Sequence, residues 1–212
     1  GVAMDRDDNV YVLATLRRVL DGKPYYNQKT GTLMKLRPKK GRVLCDANRG
    51  NVPIPLPQAD KPGRPPDASL FEANFWIEGA QWLYGGVGFC GKNAMCSCWN
   101  CRFALDYFAR SFVPEVHRCR VAVLDSNGNL VLRVGKYGNV DDGKPTVAEG
   151  GPANPRSIGG DEVSLFYAPY LATHTDRRLF IADPGNGRIV SVKLDYQAEE
   201  KVPLKDIPDR GK

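Results

Sequence analysis

The sequence predicts an all-β fold: a β-propeller, or a segment of one, of about three to four four-stranded blades with long loop insertions. Two observations carry this expectation. The first is a pattern written three times: Val2-Ala3-Met4-Asp5 then Val10-Tyr11-Val12, Phe103-Ala104-Leu105-Asp106 then Ser111-Phe112-Val113, and Leu171-Ala172-Thr173-His174 then Leu179-Phe180-Ile181. An acidic or polar residue stands six positions before an aromatic each time: Asp5 to Tyr11, Asp106 to Phe112, His174 to Phe180. A short apolar strand, a turn (polar in the first and third copies) and a second apolar strand read as a β-hairpin. A hairpin recurring along a chain buries its face against its neighbours and makes an array. The second observation is compositional. Gly 22 and Pro 16 suit many turns and few long helices, and alternating Ile, Val and Phe favour strands.

In chain order, residues 1–45 read as a first blade, with Thr32-Leu33-Met34-Lys35-Leu36 and Arg42-Val43-Leu44-Cys45 as its outer strands. Residues 46–70 hold Pro53, Pro55, Pro57, Pro62, Pro65 and Pro66, a density that excludes a central strand or helix and predicts a surface excursion. Residues 71–90 carry a tryptophan-rich hairpin, read as a degenerate blade, and residues 91–101 a cysteine segment. Residues 102–135 form the best blade, in which Asp125-Ser126-Asn127-Gly128-Asn129 is a hairpin turn with Asn-Gly where positive φ is needed. Its resemblance to a calcium loop fails for want of a bidentate Glu at the later position. Residues 136–160 are a Gly/Pro-rich loop, 161–204 the last blade and 205–212 a charged tail. The whole, 1–212, reads as a single propeller domain or part of one. Ala104 to Phe112 would also pass for a helical turn, but its alignment with two other hairpins decides for strand. Gly85-Gly86-Val87-Gly88 reads as strand or bulge rather than a phosphate cradle, since no helix follows it.

Gly1-Val2-Ala3-Met4-Asp5…Asn9-Val10-Tyr11-Val12, Arg120-Val121…Leu124-Asp125…Gly128-Asn129 and Ala182-Asp183-Pro184-Gly185-Asn186-Gly187-Arg188-Ile189 resemble pieces of the NHL repeat. Residues 102–135 and 170–204 match best, residues 1–45 at their start, and residues 46–101 hardly at all. The wording of Trp76-Ile77-Glu78-Gly79-Ala80-Gln81-Trp82-Leu83-Tyr84-Gly85-Gly86 resembles large bacterial NHL-type propeller proteins. The resemblance implies a propeller in which each repeat makes roughly one blade. Some NHL propellers are lyases whose zinc is held by several histidines; His117 and His174 are too few for that arrangement. Others bind RNA, which here would fall to the run Lys35, Arg37, Lys39, Lys40 and Arg42. The competing reading is a solvated turn at Pro38-Lys39-Lys40-Gly41.

The chain of 212 residues, 42% apolar and 25% charged with a net charge of +6, has an ordinary globular composition. No run of 18 apolar residues is present, so no helical membrane span is expected. The chain starts at Gly1 directly on a repeat, without an initiator Met, and is read as processed or partial. Three clear blades and one degenerate one fall short of most rings of ~4–8. The expected partner is therefore another protein chain, or further copies of this one, completing or covering the propeller.

Six cysteines are present, four of them in Cys90-x5-Cys96-x-Cys98-x2-Cys101, with His117 and Cys119 following in the next blade. Thiolates so spaced would take Zn or Cu or an iron–sulfur cluster; the candidate ligands are Cys90, Cys96, Cys98, Cys101, Cys119 and His117. Disulfides explain the same even number of cysteines and suggest export to a periplasmic or extracellular compartment; free buried thiols are the remaining reading. A Cys-x-x-Cys-His motif is lacking, so no covalent c-type haem is expected. His174 stands where Asp5 and Asp106 stand and is read as structural. No nucleophile, base and oxyanion donor fall together, and no P-loop, Gly-x-Ser-x-Gly or His-Glu-x-x-His occurs. The expected function is a non-enzymatic scaffold or binding module for protein interaction or assembly. The alternative is the propeller part of a metal- or quinone-dependent oxidoreductase or a lyase.

Overall fold

The threefold pattern folds as three hairpins in one register. Ala3 lies opposite Tyr11, Ala104 opposite Phe112 and Ala172 opposite Phe180, each across an antiparallel pair. The computed structural model describes residues 1–26, 30–47, 56–88, 100–139 and 163–194. Among these it has eighteen strands, three short 3₁₀ turns and no α-helix. The chain is all-β.

Four main sheets hold nearly all the strands. The first contains Val2–Met4, Val10–Ala14, Gly31–Leu36 and Ala80–Val87, in that order. The second has five strands, in the order Lys23–Pro24, Arg17–Leu20, Ala68–Leu70, Ala73–Glu78 and Arg42–Cys45. The third is a meander of Ala104–Leu105, Ser111–Glu115, Arg120–Leu124 and Leu130–Val134, and the fourth a meander of Tyr170–His174, Arg178–Asp183 and Arg188–Lys193. A parallel pair, Lys136–Tyr137 with Ser164–Leu165, joins the regions around the third and fourth sheets.

Three apolar cores bind these sheets in series, in the spatial order second, first, third, fourth. Met34 and Leu36 of the first sheet meet Cys45, Ala68, Phe75 and Ile77 of the second. Tyr11, Leu13, Leu33 and Val87 of the first meet Val113, Ala122 and Leu124 of the third. Phe112, Val121 and Val123 of the third meet Leu171, Leu179 and Ile181 of the fourth. Alternate residues of one strand thus enter different cores, because successive strand side chains point to opposite faces. A sheet buried on both faces has no solvated side to record in its sequence. Hence Gly31–Leu36 and Ser111–Glu115 are buried along their whole length. The fourth sheet, at the end of the series, alternates strictly between buried and partly exposed along Arg178–Asp183.

The structure redistributes the residues around the tryptophans. Arg42–Cys45 is not an outer strand of the first sheet; it pairs with Ala73–Glu78 at the edge of the second. Ala73–Glu78 and Ala80–Val87 do not pair with each other as a hairpin, and residues 71–88 make no sheet of their own. Gly79, at φ 70°, turns the chain from one sheet into the other, where a Cβ would stand 2.2 Å from the Lys40 carbonyl oxygen. The proline-rich stretch, expected to hold no central strand, yields one immediately after Pro66: Ala68–Leu70 lies between Arg17–Leu20 and Ala73–Glu78. Asp67 leads the chain into place: its amide donates to the Phe75 carbonyl at 2.8 Å, its carbonyl accepts the Val19 amide at 2.9 Å, and its carboxylate accepts the Ile77 amide at 2.7 Å. Gly86, at φ 80°, is the extra residue where Thr32 pairs with Gly85 and Gly31 with Val87, so the glycine run is a bulged strand.

Candidate binding surface

Each repeat turns on one side chain. Asp5 Oδ1 accepts from the amides of Asp7 and Asn9 at 3.0 Å each, Asp106 Oδ1 from Phe108 and Arg110 at 2.9 Å each, and Asp125 Oδ1 from Asn127 and Asn129 at 2.8 Å each. His174 takes the same place, its Nδ1 hydrogen-bonding the Asp176 carboxylate at 2.7 Å rather than accepting two amides. The residue three positions on has a left-handed backbone in every case: Asp8, Ala109, Gly128 and Arg177, with φ of 61°, 59°, 83° and 65°. In the three aspartate turns the side chain satisfies amides that the tight turn leaves unpaired, while His174 is tied to its own turn through Asp176.

In the first copy this turn joins a closed polar cluster. Tyr11 Oη donates to Asp5 Oδ2 at 3.1 Å, and Lys35 Nζ stands 3.4 Å from the same oxygen. Lys35 Nζ and Trp82 Nε1 both donate to the Ser126 carbonyl, at 3.1 and 3.0 Å, which ties the first sheet to the Asp125 turn of the third. Burial and the Asp5 hydrogen bond push the Tyr11 phenol far up. All these groups are partnered, and Tyr11, Lys35 and Asp5 are buried, so the cluster is a fastening between sheets. It also removes Lys35 from the basic run; Arg42 in turn pairs with Glu78 at 3.5 Å.

The second copy differs at its tip. Where the first turn carries Arg6-Asp7 and the third Thr175-Asp176, the second carries Tyr107 and Phe108. Their side chains stand in solvent, with exposures of 72% and 63%. The rings meet edge to face at 5.5 Å between centroids, with the Arg6 guanidinium 5.6 Å from the Tyr107 ring and that of Arg110 5.1 Å from Phe108. Behind them lies a cleft of about 240 Å³, walled by Leu105, Asp106 and Phe112 of the third sheet and by Thr173, His174 and Arg178 from the fourth. The charges along it are mixed. Asp106 pairs with Arg110 Nε at 2.7 Å, and Asp176 with His174 Nδ1 at 2.7 Å and Arg178 Nε at 3.0 Å. The His174 hydrogen bond, with Arg178 beside it, holds the Asp176 carboxyl below the usual carboxylate range. Sequence reasoning passed over Tyr107 and Phe108; the available signal was the loss of polarity in one turn of three.

Of the candidate metal ligands, Cys90, Cys96 and Cys98 lie outside the described residues. Cys101 is buried in the core between the first and third sheets, and burial pushes its thiol up to about 12. Cys119 packs against the next core, between the third and fourth sheets, with left-handed backbone and Sγ 3.4 Å from the Phe166 carbonyl oxygen. Cys45 is buried in the core between the first and second sheets. These three are free thiols, Cys45 and Cys101 within two different cores and Cys119 at the margin of the third. His117 lies in the 3₁₀ turn Val116–Arg118, two positions from Cys119. Among the described residues no three His, Cys, Asp or Glu side chains gather as they would around a metal ion.

No helix among the described residues is long and apolar enough to cross a membrane. No protein-family model and no curated protein matches the chain.

Proposed function

We propose that the chain is a non-enzymatic binding module: an arc of an NHL-type propeller whose turn surface holds another protein through Tyr107, Phe108 and the cleft behind them. The observation that carries this reading is the aromatic pair itself. The other two copies build the same turn from polar residues, so the fold does not require aromatics there. Large side chains left in water next to a cleft mark interaction surfaces, and Tyr and Arg are the residue types most enriched at the energetic centres of protein interfaces. Asp7, Asp106 and Asp176 stand among the arginines of this surface. Mixed charge favours a protein partner over a polyanion such as RNA, and the burial of Lys35 weakens the rival basic run. The repeated register and the serial packing of the sheets support the propeller reading.

The test is selection of peptides from a random display library against the immobilised chain, followed by measurement on the double variant Tyr107→Ser/Phe108→Ser. Stability should stay within about 0.5 kcal/mol of the parent, as for exposed positions generally, while affinity for the selected peptides falls by about ten-fold or more. Undiminished binding by a folded double variant would refute the assignment.

A further inference from the structure

The acidic residue that closes the second hairpin of a repeat recurs, and so does its arginine. In the fourth sheet Asp183 is fully buried, pairs with Arg188 at 3.7 Å and accepts the Tyr167 amide at 2.8 Å. In the third sheet the equivalent Glu115, 2% exposed, pairs with Arg120 five positions on, just as Asp183 does with Arg188. There the likeness ends. Glu115 also holds Arg133 Nε at 3.1 Å and Arg118 Nη1 at 3.4 Å. One arginine completes the repeat, and two more have been added.

Three guanidiniums on one carboxylate leave a surplus of two positive charges. Among the described residues no other carboxylate lies within ion-pair distance of any of the three. Arg120 and Arg133 both reach the same Glu115 oxygen through Nε, so their Nη groups are not used by that carboxylate. The three side chains are about one-third exposed (30%, 29% and 33%), open to a solute while their shared anchor is not. Tyrosines frame them. The Arg118 guanidinium lies 4.1 Å from the centroid of the Tyr26 ring, and Tyr25 is its neighbour at 6.4 Å between rings. Tyr84 is hydrogen-bonded to Arg133, and burial, then the Glu115 charge, pushes its phenol up. Tyr25 reaches this position because Gly85 and Gly86 beneath it have no side chains: a Cβ on Gly85 would lie 3.0 Å from its ring, and one on Gly86 3.3 Å.

We propose that Arg118, Arg120 and Arg133, gathered on buried Glu115 beside Tyr25, Tyr26 and Tyr84, form a binding site for a phosphate monoester. The charge matches, since such a group carries about −1.5 to −2 at neutral pH. The chemistry matches too: planar guanidiniums bind phosphate oxygens through paired N–H donors. A monocarboxylate would cancel only half of the surplus. The site lies at the second-hairpin turn of its repeat, not at the first-hairpin turn that carries Tyr107 and Phe108, and stands independently of that surface.

The experiment follows the arginine Nε–H resonances of the ¹⁵N-labelled full chain while inorganic phosphate is added at constant ionic strength, with sodium chloride and sodium acetate as parallel arms. Phosphate should shift the Arg120 and Arg133 signals saturably and leave Arg188 unmoved, with acetate weaker by about ten-fold or more. Arg118→Gln/Arg133→Gln should abolish the saturable response while Arg188 keeps its native position, which reports an intact fold. A shift that is linear and equalled by chloride, or a saturable response retained in the double variant, would overturn the proposal. If the double variant does not fold, the parallel arms on the parent decide by the same criterion.

Discussion

Asp5, Asp106 and Asp125 each accept two backbone amides at their turns, a device completed within the turn itself. The longer-range partners of Asp5 arrive through sheet pairing: Lys35 Nζ stands 3.4 Å from the Asp5 carboxylate, and Gln81 donates to the side chain of Asn9. Burial pushes the Asp5 carboxyl up, but the Asn9 side chain, two amides and the Tyr11 hydroxyl outweigh it and hold the group below its ordinary value. A carboxylate lowered in the folded state contributes stability that is fully present above its unfolded pKa of about 3.9 and is lost as pH falls through the folded value. Asp5→Asn should therefore flatten the dependence of the urea midpoint on pH below about 4; an unaltered acid limb would show that Asp5 is not coupled to folding. Cys101 makes a second residue-scale case. Burial pushes both thiols up, that of Cys101 to about 12, and with its side chain in a core Cys101 should react with iodoacetamide at pH 8 more slowly than half-buried Cys119. Mass spectrometry of the timed digest reads the order, and equal rates would place Cys101 at the surface.

At the scale of elements, hairpins were readable and crossings were not. A hairpin is written in adjacent residues, whereas the division of Ala73–Glu78 and Ala80–Val87 between two sheets is written only in their distant partners, Arg42–Cys45 and Gly31–Leu36. The one local sign was Gly79, the single residue between the two strands. Ala68–Leu70 was hidden for a related reason: a proline-rich composition describes the approach to a strand, not the strand. The candidate surface was harder to see because a turn reads as a turn whichever side chains cap it: the loss of polarity at Tyr107 and Phe108 was the one signal, and their exposure is what gives it meaning. Gly79 permits a direct check. Its positive φ and the Lys40 carbonyl 2.2 Å from any Cβ make Gly79→Ala strained by well over about 1 kcal/mol. Hydrogen exchange should show protection falling in the first and second sheets together. Loss confined to one of them would mean that Gly79 is not the pivot between the two.

For the molecule as a whole, the decisive feature is the use of both faces of the inner sheets. Val113, Ala122 and Leu124 look toward the first sheet, and Phe112, Val121 and Val123 toward the fourth. This explains why Arg120–Leu124 is a continuous apolar run after its first residue while Arg188–Lys193, at the end of the series, alternates between partly buried and exposed. It also sets where the chain departs from its repeat: the cores absorb the shared pattern, and the departures stand at the surface, in the turn residues Tyr107, Phe108 and Arg118 and in the partly exposed strand residue Arg133. The serial order of the sheets is tested most directly by nuclear Overhauser contacts between selectively labelled leucine, valine and isoleucine methyls. Contacts should link Leu13, Leu33 and Val87 to Val113 and Leu124, and separately Val121 and Val123 to Leu171, Leu179 and Ile181. Contacts from Leu13 or Leu33 directly to Leu179 or Ile181 would contradict the order and with it the account of the fold.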